Sequence, residues 1–188
     1  MHRYTMSQRI KPVDPPYDED VEADFDALMP EGMEPLKLFR TVAHNPRVLH
    51  RMRVGGLLDE GAIEPREREL LILRTTANCG CEYEWGVHVT GFSAAVGISE
   101  EQVEATVHGN HDDHVWSETD SLLIRLADEL HETTKVSDTL WDELEDHWEP
   151  DQLIELVMLI GLYHAVSFTA NAFEVELEAI AERFPDHN

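Results

Sequence analysis

One ten-residue run, Cys79-Gly80-Cys81-Glu82-Tyr83-Glu84-Trp85-Gly86-Val87-His88, brings two thiols, carboxylates and an imidazole together. If a helix begins near Cys81, then Cys81, Glu84 and His88 fall at i, i+3 and i+7 and share one face. Glu84 and His88 stand at i and i+4, close enough to share a proton. A carboxylate that orients an imidazole and raises its pKa makes a general base. A thiol in the first helical turn meets the positive end of the macrodipole, which favours thiolate. The run therefore carries what either proton transfer or thiol chemistry needs. Gly80 permits a small Cys79–Cys81 ring, strained and easily reduced. Zinc is not expected, because no second Cys or His pair has the spacing of a structural site.

These groups need elements to hold them. Pro65 suits a first helical turn, and the apolar stripe Leu70, Leu71, Leu73, Arg74, Ala77 runs on to Asn78, with Gly80 as a stop. The next helix is read over 81–96, with Gly97 as its left-handed cap. An antiparallel hairpin turning at 78–80 brings this pair face to face, and Glu69 on the first helix can then approach His88 on the second. Spacing alone does not select Glu69 over Glu67 or Glu64. Tyr83, Trp85, Val87 and Phe92 make the second helix apolar on much of its circumference, which argues for partial burial of Glu84 and His88.

Upstream, residues 1–34 carry Pro12, Pro15, Pro16 and Pro30 and an acidic run from Asp14 to Asp26, and read as an N-terminal arm that docks through Val21, Phe25 and Leu28. Residues 35–188 read as one helical domain. Its further helices are a stripe of Leu36, Phe39, Val42 and Ala43 before Pro46, a second of Val48, Leu49, Met52, Leu57 and Leu58, and one opened by the capping box at Ser99. Others are capped by Ser117 or Thr119 and by Ser137, and a last long helix covers 153–180. No strand pattern is present, so the class is all-α. The apolar stretch 153–173 has the length of a membrane span. His164, Ser167, Thr169 and Asn171 interrupt it and no Lys or Arg flanks it, so a buried bundle helix is the expectation.

A net charge of −25 over 188 residues repels nucleic acid and anionic lipid alike. Lysine occurs only at Lys11, Lys37 and Lys135, and the acidic, Arg-over-Lys balance resembles proteins of a salt-accumulating cytoplasm, where multimolar salt screens self-repulsion. No apolar leader opens the chain, and two cysteines do not make a secreted disulfide framework, so a cytoplasmic location is expected. Among the other histidines, His164 reads as a satisfied core residue, and His108, His111 and His114 as a solvated loop.

The segments 38–46, 65–74 and 81–88, with Gly97-Ile98-Ser99 and the 155–164 stretch, resemble the carboxymuconolactone decarboxylase family, which includes the alkylhydroperoxidase-D-like peroxidases. The resemblance covers about residues 35–180. It implies an alkylhydroperoxidase-D-like helical bundle assembled as a homo-oligomer, a trimer or hexamer, acting on a small molecule without metal or cofactor. The peroxidase branch has a Glu on the preceding helix, then Cys-x-x-Cys, then a His four residues on. Glu69, Cys81 and His88 match those positions, while the second, attacking thiol is Glu84 here. The leading expectation is an acid–base enzyme of lactone-decarboxylase type, with His88 as general acid/base, Glu84 sharing its proton, Glu69 completing the relay and Cys81 as a polarisable neighbour. Arg74 and Arg68 are candidate anion clamps. The rival is a thiol peroxidase in which Cys81 attacks a hydroperoxide, Cys79 resolves, and His88 with Glu69 moves the proton. A non-catalytic scaffold is a third class.

Overall fold

A computed structural model describes residues 8–186, and every described element is helical. The elements are α1 (Glu19–Leu28), α2 (Lys37–Val42), α3 (Pro46–Val54), α4 (Pro65–Asn78), α5 (Glu82–His88), α6 (Glu100–His108), α7 (Glu118–Thr133), α8 (Asp138–Glu145) and α9 (Pro150–Phe173). Between α5 and α6 the chain makes one π-helical stretch, Val89–Ser93.

The helix starts follow local chemistry. Pro65 and Pro150 occupy first-turn positions that need no N–H donor, and capping boxes pair Glu64 with Glu67 and Glu149 with Gln152. Ser99 and Ser117 close two more boxes, and Ser137 accepts from the Leu140 amide. The α4–α5 hairpin turns through Gly80 at φ +59°, with the Cys81 amide donating back to the Thr76 carbonyl at 2.8 Å.

α4 is the central element. Every residue from Glu69 to Thr76 is buried, because α7, α9, α5 and α6 surround it. Burial on all sides explains its weak amphipathicity: Leu70, Leu71, Ile72 and Leu73 are each fully covered. One apolar cluster lies between α4, α7, α8 and α9. A second gathers Val21, Phe25, Leu38, Leu49, Cys81, Tyr83 and Val166 from α1, α2, α3, α5 and α9. α9 is the described helix long and apolar enough to cross a membrane, yet Leu153, Leu156, Leu159, Ile160 and Tyr163 are core residues. Its other side leaves Ile154, Met158 and Phe168 exposed.

Three helix readings are corrected. The stripe read through Leu57 and Leu58 is helical only to Val54, where Gly55 caps it, and Leu57 is left-handed at φ 52°. The helix expected over 81–96 is α-helical only to His88. There Thr90 Oγ1 donates to the Gly86 carbonyl at 2.8 Å, offering that carbonyl a side-chain partner where the ladder widens. The last helix ends at Phe173 rather than near 180, with Glu174 left-handed at φ 51°. Beyond it the chain turns back across α5, burying Val175. Glu178 Oε1 there accepts from the Tyr83 hydroxyl and from the Lys37 amide, each at 2.6 Å, and Phe184 packs at a tilt against Trp85 with ring centres 5.1 Å apart. A further helical turn would forfeit those long-range contacts.

The closeness of that return segment makes Gly86 a sensitive point. A Cβ there would run into the Glu182 carbonyl, whereas one at Gly91 meets nothing within 4 Å. Gly86→Ala is expected to cost about 1–3 kcal/mol as the segment is pushed off. Gly91→Ala should be close to neutral, and the pair is compared by thermal unfolding.

Candidate active site

His88 ends α5 and is only 2 % exposed, held between α4 and α9. Its Nδ1 donates to Glu69 Oε2 at 2.7 Å. Its Nε2 faces the Tyr163 hydroxyl at 3.1 Å and Glu84 Oε1 at 3.5 Å. Burial by itself would lower the imidazole pKa. Hydrogen bonds to Glu69 and then Glu84, with the charges of both, outweigh it and push His88 up to about 9. At neutral pH the ring is therefore an imidazolium between two carboxylates. Burial and the charges on Glu84 and Glu69 raise the Tyr163 hydroxyl, which stays protonated.

Glu84 and Tyr163 border a pocket of about 540 Å³ whose other walls are largely apolar, among them Leu28, Phe39, Met52, Leu57, Leu162 and Val166. His88 and Glu69 stand behind them, one layer deeper. Glu84 Oε2 is buried without a hydrogen-bond partner, an acceptor left over on a residue of the pocket wall. The apolar residues of the second sequence stripe find their use here. Leu49 goes to the core, while Met52, Leu57 and Leu58 line the pocket.

Three of the residues singled out by the sequence thus converge: Glu69, Glu84 and His88. The choice among the α4 acids is now decided. Glu64 caps the helix, Glu67 is engaged by the Glu64 amide at 2.9 Å and the Trp148 indole at 2.8 Å, and Glu69 alone of the three turns inward. Arg68 stands 3.5 Å from Glu69 Oε1 and donates to the Leu58 and Asp59 carbonyls, bracing the loop of the pocket wall.

The thiols behave otherwise than expected. Cys81 does cap α5, but it is fully covered within the second apolar cluster. Burial drives its pKa up to about 11, the Glu84 amide opposes that, and the Glu84 charge adds to it. The expected lowering by the helix terminus is overturned, since the desolvation cost of a thiolate exceeds the benefit of one dipole end. Cys79 is half-buried, and burial raises its thiol as well. Both thiols are free, and neither is among the residues lining the pocket.

The clamp candidates also change. Arg74 is bound bidentately to Asp128 at 2.6 and 2.8 Å and donates to the Thr106 and Gly109 carbonyls, which consumes it in the core. Arg53, which the sequence did not distinguish, borders the pocket, paired with Asp24 at 2.6 Å. Tyr163 was also missed. Its signal was a phenol in an apolar helix, since a buried hydroxyl has to find a partner. Its neighbour His164, rotated to another face, bonds the Ile160 carbonyl and His131. His108, the last residue of α6 rather than part of the loop, bonds the Pro185 carbonyl, and His114 in the loop beyond faces Glu101, so those histidines do not converge.

Residues 47–125 match the carboxymuconolactone decarboxylase family. A search of curated proteins finds no match. Among solved structures, the chain is similar to the debrominase Bmp8 in complex with 2,3,4-tribromopyrrole, with TM-score 0.77, 13 % identity, and 93 % of this chain and 94 % of that one covered. It is also similar to an uncharacterized peroxidase-related protein from Silicibacter sp. TM1040 (TM-score 0.81, 13 % identity, 98 % and 100 % covered). A third is the alkylhydroperoxidase AhpD core of an uncharacterized peroxidase-related protein from Ralstonia eutropha JMP134 (TM-score 0.73, 14 % identity, 92 % and 95 % covered).

Proposed function

We propose that this chain, whose residues 47–125 match the carboxymuconolactone decarboxylase family, is a cofactor-free acid–base enzyme acting on a small carboxylated substrate. The observation that carries this reading is the buried Glu69–His88 pair standing behind Glu84 and Tyr163 at the wall of an apolar pocket.

In a decarboxylation, the bond from the carboxylate to its carbon breaks and CO2 leaves. The electron pair passes into a conjugated carbonyl as an enolate, and the carbon then takes a proton. The Glu84–His88 pair supplies that proton, with Glu84 as the member at the substrate. Glu69 keeps His88 charged and oriented. The neutral Tyr163 hydroxyl stabilises the enolate oxygen, acting in a site from which apolar walls exclude water. Arg53, at the same pocket, is the group placed to hold a carboxylate.

The thiol-peroxidase reading shares His88 and Glu69 but asks a covered, hard-to-ionise Cys81 to attack. The acid–base reading is tested by presenting small carboxylated lactones and organic hydroperoxides in parallel, and following CO2 release and peroxide loss. Arg53→Gln should raise KM for a carboxylated substrate about 10–100-fold, the worth of a hydrogen bond to a charged group, with a smaller change in kcat. Unchanged KM would remove Arg53 from the substrate.

A further inference from the structure

Away from the pocket, where α4 ends, three side chains from three helices meet. Cys79 caps the C-terminus of α4, His131 lies in the last turn of α7, and His164 lies in α9. His131 Nδ1 is 3.0 Å from His164 Nε2 and 4.0 Å from Cys79 Sγ, and the three atoms all lie within 4.8 Å of one another. We infer that Cys79, His131 and His164 form a binding site for a thiophilic divalent cation of the Zn2+ type, with three protein ligands and one position open to water.

The distances suit the ion. With Zn–N bonds of about 2.0–2.1 Å and a Zn–S bond of about 2.3 Å, a tetrahedral site has edges of about 3.3 Å between nitrogens and about 3.6 Å between sulfur and nitrogen. Shifts of a few tenths of an ångström bring the His131–His164 and Cys79–His131 edges to these values, and the Cys79–His164 edge closes from within 4.8 Å. The His164 tautomer is also prepared. Its Nδ1–H donates to the Ile160 carbonyl at 2.8 Å, which leaves the Nε2 lone pair facing the other two groups. A carbonyl holding the far nitrogen of a ligand histidine is the usual supporting arrangement of such sites.

The backbone under Cys79 is equally held. Its amide donates to the Thr75 carbonyl at 3.0 Å and its carbonyl accepts from Asn171 Nδ2 at 2.9 Å. Asp128 ties α7 to α4 through Arg74 and Asn78. Cys79 and His164 are half-buried while His131 is exposed, so the protein encloses the ion on one side and leaves the other open. Such a set, two imidazoles and a thiolate with a vacant fourth position, suits Zn2+ better than Mg2+ or Ca2+, which take oxygen ligands. An ion there joins the α4–α5 turn to α7 and α9. The ligands are 52 and 33 residues apart in sequence, which is why no spacing motif announced them.

The test is Zn2+ titration of the reduced full chain in excess Mg2+, which occupies surface carboxylates, followed by the Co2+ spectrum. One Zn2+ per chain is expected, with a thiolate-to-Co2+ charge-transfer band. Cys79→Ser and His131→Ala should each weaken Zn2+ by at least about 100-fold, since even supporting residues cost 10–100-fold. His111→Ala, in the loop after α6, should leave it unchanged. Absence of Zn2+ uptake overturns the site, as does uptake indifferent to Cys79→Ser and His131→Ala. So does a Co2+ complex without thiolate absorption, and in those cases the His131–His164 contact is a hydrogen bond alone. The inference does not depend on the acid–base reading, since none of its ligands lines that pocket.

Discussion

His88→Gln is expected to lower kcat/KM by about 10²–10⁴-fold, the range that a positioned acid–base group supplies. Glutamine keeps an amide donor for Glu69 and fills most of the space, so the fold survives while the titrating proton is lost. Cys81→Ser in the same assay should keep most of the activity. Its sulfur is covered and lies outside the pocket lining. The thiol-peroxidase reading demands the opposite pattern. Titration of the native chain with a chromogenic disulfide completes the comparison, and neither thiol should react fast below pH 7, because burial raises both. A rapidly reacting Cys81, or full activity in His88→Gln, would reverse the assignment. Glu84→Gln should also fall steeply, because it removes the carboxylate that shares the pocket wall with Tyr163.

The second large effect concerns stability. Removing one member of a buried ion pair leaves the other charge stranded, and Glu69→Ala should cost about 3–5 kcal/mol. The pair also leaves a signature in pH. His88 holds its proton up to about 9 in the native chain and to about 6.5 in the unfolded one. Between those values the native state binds more protons, so stability is fully present below about pH 6.5 and falls as pH rises through about 9. Denaturant unfolding at a series of pH values should show that decline in the native sequence. In Glu69→Gln the decline should be smaller, because the strongest partner of the imidazolium has lost its charge. A stability curve flat from pH 6.5 to 9 would mean that His88 is neutral in the fold.

The Cys81 thiol shows how a local rule is overruled. A helix N-terminus does favour thiolate, and Cys81 does stand at one. The macrodipole acts on whatever charge is placed there, whereas desolvation depends on what α1, α2 and α9 bring against the same atom. Cys81 is completely covered within the apolar cluster to which those helices contribute. The same distinction separates Tyr163 from His164. Adjacent positions on a helix point roughly 100° apart. One therefore reaches His88 and the other His131, and composition ranks the histidine above the phenol.

What the chain determined by itself is local, and local chemistry is enough for it. Pro65, Pro150 and the Ser99, Ser117 and Ser137 caps set where helices begin, Gly80 sets the hairpin, and the four-residue step from Glu84 to His88 puts acid and imidazole on one face. Tertiary packing decided the rest. It chose Glu69 over its neighbours, brought Tyr163 and Arg53 to the pocket, buried Cys81, and gathered Cys79, His131 and His164 from three helices. Hydrogen bonds and caps act over a few residues of chain. Desolvation and ligand geometry depend on which distant elements share a volume, and no spacing along a single helix encodes that.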